Sequence, residues 1–246
     1  MTTPVPLPAS APVVEIARHL RWRVLPTLMF SACLGLLAVV GGISLVMAHR
    51  HPRGLPDDPD TRAAAAEVAG RVSVPANALR FRSVLLGGEP ANHAADAGML
   101  ARAKSARAKL DAARRRHPGD PRYLAAVAAL DLVGHDYARA ARRYRRACEM
   151  APHYGEARLG AGVALALDAD RTPELWQSRA LRLQAVAQFA MVDSVDEEYM
   201  PALYDRALVL HDVGRDREAA FYAGRFAARE GNSAWTARLR QGLATR

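Results

Sequence analysis

Cysteine is scarce in this chain of 246 residues, which holds only Cys33 and Cys148. The first falls inside a long apolar run and the second at an apolar-facing position of a predicted helix. The two cannot readily meet, so a disulfide framework is excluded. No CxxC, CxxCH or Cys/His cluster occurs, which removes the usual ligand sets of structural zinc and covalently attached haem. Lysine is confined to Lys104 and Lys109, so arginine carries nearly all the positive charge behind a net +9. Aromatics make up 6% of the residues, and no reading motif accompanies them, which argues against the stacking platforms of nucleic-acid binders. Catalytic signatures are missing as well. GVALALDAD and LLGGEP lack the lysine and spacing of a phosphate loop, and neither GxSxG nor HExxH is present. The sequence predicts a non-enzymatic protein with no metal and no cofactor.

Charge is also missing from one long stretch. Residues 24–48, VLPTLMFSACLGLLAVVGGISLVMA, contain no charged residue. At about 1.5 Å of rise per residue, this run covers a hydrocarbon core of roughly 30 Å. Globular core helices rarely stay apolar on all sides for so long. A cleaved signal peptide is the rival, with Val46-Met47-Ala48 as a weak processing site, but the apolar core of such peptides is shorter, at about 7–15 residues. A single transmembrane helix is therefore expected. Arg18, Arg21 and Arg23 precede it, and Arg50 and Arg53 follow it. This bias places the N-terminus in the cytoplasm and the C-terminal domain in the periplasm of a bacterial inner membrane. Trp22 stands where an interfacial aromatic belongs. Ser31, Gly35, Ala38 and Gly42 form a small-residue face that lets another membrane helix approach. Residues 1–23 read as a Pro-rich tail followed by a short amphipathic segment, with Val13, Ile16, Ala17 and Leu20 on one face, lying along the cytoplasmic surface.

Residues 49–91 read as a linker and a small capping segment. HPRGLPDDPD is turn-rich, residues 61–72 predict a helix, and residues 74–86 fit a helix or a strand equally well before Gly87-Gly88 ends them. Beyond this point the chain repeats itself. Ala106, Leu110, Ala113 and Pro118 return as Ala140, Tyr144, Ala147 and Pro152, each displaced by 34 residues. The best single unit spans 120–152. Asp120 is a good N-cap, Pro121 suits the first helical position, and Gly134 ends the first helix. Gly162 follows Ala128 by 34 residues, whereas Ala185 and Phe189 follow Ala140 and Tyr144 by 45. The difference places an eleven-residue insertion near 168–178, about three helical turns, which would keep the packing face in phase. Ala202 and Ala219 mark a further unit, with Gly214 ending its first helix. Asn232 or Ser233 then starts a last helix at 232–246, through Trp235 and Leu239, that covers the open end.

A small–large–small face with a proline stop at this period resembles the tetratricopeptide repeat. The resemblance covers residues 92–231. The fold class it implies is all-α: a single transmembrane helix followed by a solenoid of helical hairpins. In that family the first helices line a groove that receives a peptide or a partner helix. Carried onto this chain, the groove is lined by Arg122, Ala125, Ala129, Leu159, Val163, Tyr204, Leu208 and His211. This lining is mostly apolar and lacks a cationic clamp, so an extended hydrophobic segment or another subunit suits it. The resemblance implies a membrane-anchored scaffold or accessory subunit that assembles or stabilises a bacterial membrane complex, whether respiratory, photosynthetic or cytochrome-related. A periplasmic or secretion-associated chaperone with transient clients remains open and, less favoured, a cytoplasm-facing regulatory or nucleic-acid-binding module. The expected partners are a protein of such a complex and the bilayer. Nucleic acid is not expected, although 13 basic residues against four acidic ones between Arg102 and Arg146 would attract an acidic surface if they were not simply a solvated face. Asp193, Asp196, Glu197 and Glu198 read as a solvated helix start.

Overall fold

The computed structural model of the chain describes residues 52–72, 74, 78–89 and 97–244. The expected span at 24–48, its face of Ser31, Gly35, Ala38 and Gly42, and the segment 1–23 lie outside these residues. Among the described residues, no helix is long and apolar enough to cross a membrane.

Nine helices are described: α1 (Pro59–Val68), α2 (Ala97–Arg116), α3 (Pro121–Val133), α4 (Tyr137–Met150), α5 (Gly155–Arg171), α6 (Leu175–Ala190), α7 (Tyr199–Asp212), α8 (Asp216–Glu230) and α9 (Ala234–Ala244). Local chemistry fixes several of their starts. Asp58 accepts from the amides of Asp60 and Thr61 to cap α1, Asp120 accepts from the Arg122 amide ahead of Pro121, and Asp136 accepts from the Arg139 amide. Each side chain satisfies an amide that the first turn leaves without a helical partner. The Ser233 hydroxyl likewise accepts from the Thr236 amide at 3.2 Å, opening α9. Gly214, at φ 75°, ends α7 in the left-handed conformation. Gly134 ends α3 at φ −81°, and it is His135, at φ 61°, that takes the left-handed position instead.

Each helix packs on its chain neighbour, giving the hairpins α1–α2, α3–α4, α5–α6 and α7–α8, with α9 against α7 and α8. Across hairpins, α3 packs on α5 and α5 on α7. Among the described residues, α4 and α6 do not approach within 8 Å between Cα atoms, nor do α6 and α8. The first helices α3, α5 and α7 thus form a close inner layer and the second helices diverge, the geometry of a curved hairpin array.

The repeated positions make the contacts their spacing predicts. Ala106, Leu110, Ala113, Ala140, Tyr144, Ala147, Ala185 and Phe189 are all buried. Small residues admit the large ones. A Cβ on Gly160 would stand 2.3 Å from the Tyr144 ring, and one on Gly162 would stand 2.3 Å from the Phe189 ring. The α5–α6 hairpin is the longer one, with 17 residues in α5 against 13 in α3. Leu175 and Trp176 project from the start of α6.

The connection between α1 and α2 departs from a simple hairpin. α1 stops at Val68, short of the expected 72, and α2 is described from Ala97. Within the connection, residues 78–89 form neither a helix nor a paired strand. They run without regular structure to Arg82 and then close a tight turn, where Ser83 and Gly88 exchange backbone hydrogen bonds of 2.9 Å. Phe81, Leu85 and Leu86 are nevertheless buried with the core.

Candidate functional site

Between α1 and α2 the chain lies along the layer formed by the first helices. The Val84 amide donates to Glu156 Oε1 on α5 at 3.0 Å, and the Arg80 amide donates to Asp205 Oδ1 on α7 at 2.7 Å. Gly70 at the end of α1 donates to the Leu86 carbonyl at 3.1 Å. The segment therefore runs from the last hairpin at residue 80 back towards the first at residue 86, crossing the inner layer.

Arg80 ends this run inside an aromatic cage. Its guanidinium carbon lies 4.5 Å from the centre of the Trp235 ring on α9, 5.8 Å from Phe226 on α8 and 6.0 Å from Tyr204 on α7. Tyr204 meets both other rings edge-on. Arg80 Nη2 bonds Glu89 at 2.6 Å. Its Nε and Nη1 make no hydrogen bond among the described residues, and the ring faces stand in their place as the favourable environment for the cation.

The two acids that hold the segment, Glu156 and Asp205, are buried. Burial pushes Asp205 well above the usual carboxylate range, against the opposing pull of the Arg80 amide and guanidinium. Burial also raises Glu156, against hydrogen bonds from the Val84 amide and the Tyr154 hydroxyl. Beside Glu156 lies a cleft of about 550 Å³ lined by Arg53, Arg82, Glu156, Asp196, Glu197 and Glu198 among others. Arg82 pairs with Glu197 and lies 3.9 Å from Glu198, and Arg53 lies 3.6 Å from Asp196. Burial, then the neighbouring Glu156 and Asp196, raises Glu198 to about 6. The acidic group that reads as a solvated helix start thus turns partly inward, because two arginines from the N-terminal side meet it. Asp196 and Glu198 side chains are only 6% and 12% exposed, whereas Asp193 and Glu197 stay in solvent. Among the described residues, no group of three or more His, Cys, Asp or Glu side chains is placed to hold a metal ion.

The eight residues read as groove lining fall into two groups. Ala125, Ala129, Leu159, Val163, Tyr204 and Leu208 are buried. In the closed array they are packing positions rather than an open surface, and of these Tyr204 belongs to the cage. Arg122 and Asp120 are paired at 2.7 Å, and His211 Nδ1 lies 2.6 Å from Asp216 Oδ1, both near the ends of their helices. The basic stretch is largely matched: Arg107 and Arg143 both clasp the buried Asp131, Lys109 pairs with Glu67, and Arg116 reaches Asp58 and Asp60. Cys148 is buried, and burial pushes its thiol up to about 11, which leaves it unreactive.

Periodicity could not point to Arg80, Glu156, Asp205 and Trp235 as one site, since they come from distant parts of the chain. The available signal was an acid, Glu156 or Asp205, set among apolar and small residues in each of two first helices.

Taken together, the described fold is an all-α array of helical hairpins closed by a terminal helix. No protein-family model matches the sequence, and no curated protein matches it. Among solved structures, the chain is similar to the crystal structure of a thermophilic TPR protein from Thermus thermophilus. The two share 20% identity and a TM-score of 0.49, over 59% of this chain and 73% of that one.

Proposed function

We propose that this protein is a non-enzymatic scaffold of tetratricopeptide type, tethered to a bacterial inner membrane by residues 24–48, which binds a protein partner and helps assemble or stabilise a membrane complex. The observation that carries this reading is the inner helix layer and its hold on an extended chain. It grips backbone amides through Glu156 and Asp205 and one side chain through three rings. A surface built this way recognises peptide, and nothing about it requires a reaction. The apolar run at 24–48 and the arginines before it support the tether and a periplasmic array.

The test is purification of the full chain in mild detergent with identification of co-purifying proteins, alongside protease digestion of spheroplasts. A stoichiometric membrane partner and an array digested from outside are the expected results. A varied, substoichiometric set of clients would favour the chaperone reading. An array protected in intact spheroplasts, or full recovery of the chain in the soluble fraction, would contradict the proposal.

A further inference from the structure

Residues 78–89 are held in a way that differs from the rest of the core. Helices here are joined by side-chain packing and their own backbone ladders. This segment buries Phe81, Leu85 and Leu86 in the core as well, but it also offers bare amides to two acids, Glu156 and Asp205, and sends one cation into a cage of Tyr204, Phe226 and Trp235. Backbone capture with one side-chain anchor is how grooves hold peptide ligands. Closing the groove over Glu156 and Asp205 also removes both carboxylates from water, which costs free energy that an open groove would recover. Near its C-terminal end the segment carries Gly87 and Gly88, both at positive φ, where the backbone can turn sharply.

From this arrangement, and resting on the scaffold reading above, we infer that residues 78–89 are a displaceable internal ligand. They keep the inner face closed until an extended partner segment carrying an arginine takes their place. The arginine enters the ring cage, where its planar guanidinium stacks as a lysine ammonium cannot. The partner's amides replace those of Arg80 and Val84 on Asp205 and Glu156, and apolar side chains of the partner fill the places of Phe81, Leu85 and Leu86. Carboxylates at Glu197 and Glu198 favour a second basic residue where Arg82 now lies.

The test uses the full chain and a fluorescein-labelled peptide of the sequence ALRFRSVLLGGE, residues 78–89, followed by anisotropy. Arg80→Ala loosens the internal copy, so this chain should bind the peptide about tenfold more tightly than the wild type, the cation–ring contribution expressed as affinity. Alanine at the first arginine of the peptide should remove the gain, as should Trp235→Ala added to the variant. Equal affinities, or no binding to either chain, overturn the inference. Should Arg80→Ala fail to fold, hydrogen exchange on the wild type decides. The Arg80 and Val84 amides should exchange through an opening that leaves α3 and α5 protected, and added peptide should speed that exchange. Exchange of these two amides only together with the helices overturns the inference. A partner retained equally by wild type and Arg80→Ala would leave the scaffold standing while removing the internal ligand. Peptide binding without any cellular partner would do the reverse.

Discussion

Asp131 lies fully buried on α3 and is clasped by Arg107 from α2 and Arg143 from α4. One carboxylate thereby joins three helices across two hairpins. Asp131→Ala removes the shared anion and leaves two arginines that must find solvent. A loss of roughly 3 kcal/mol is expected, read as a shift in the denaturation midpoint at unchanged slope. Gly160 and Gly162 carry a second residue-level demand, since an added Cβ at either meets a buried ring at 2.3 Å. Helix propensity alone would make Gly→Ala favourable by about 1 kcal/mol. Tyr144 and Phe189 are both buried, so Gly160→Ala and Gly162→Ala should each lower stability by at least about 1 kcal/mol net, measured in the same way. A gain in either variant would show that the rings yield. Sequence spacing made Gly162 legible as the counterpart of Ala128, both of them small first-helix positions. Gly160 escaped that reading because its partner Tyr144 comes from the preceding hairpin.

The helices themselves were largely legible. Caps at Asp120 and Ser233, stops at Gly134 and Gly214, and alanine faces at a period of 34 are local signals, and the array follows them. Gly214 gives a clean test of one such stop. Its φ of 75° is left-handed, and nothing stands within 4 Å of an added Cβ, so Gly214→Ala should cost about 1 kcal/mol from backbone strain alone. The connection before α2 was not legible. Its pattern fits helix and strand equally because its amides are answered by acids 72 and 125 residues away, outside any local window. The turn before α7 was misjudged for the same reason. Glu198 there is raised from 4.5 to about 6, first by burial and then by Glu156 and Asp196. A carboxyl raised on folding binds its proton more tightly in the native state. Its contribution to stability is therefore full below pH 4.5 and is lost as the pH rises through about 6. Glu198→Gln does not titrate, so its melting temperature relative to wild type should rise between about pH 4 and about pH 7, by thermal melts at both. A difference independent of pH would contradict the buried placement.

For the molecule as a whole, the array and its internal segment cannot be separated. A hairpin solenoid is stabilised by neighbours in sequence, and each unit needs only the next one. Here Arg80, from the first hairpin's connection, reaches Trp235 on the closing helix, so the chain links the two ends of its own stack. The all-α fold and its hairpin order could be read from repeated residues. The closure of the inner face could not, because it depends on a cation and three rings that no periodicity relates. A double-mutant cycle on Arg80→Ala and Trp235→Ala, by equilibrium denaturation of the full chain, tests this most directly. The two positions lie far apart in sequence, so only the described crossing makes them neighbours. A coupling energy of about 1 kcal/mol is predicted. Strict additivity of the two single losses, within about 0.3 kcal/mol, would show that the segment does not cross the array.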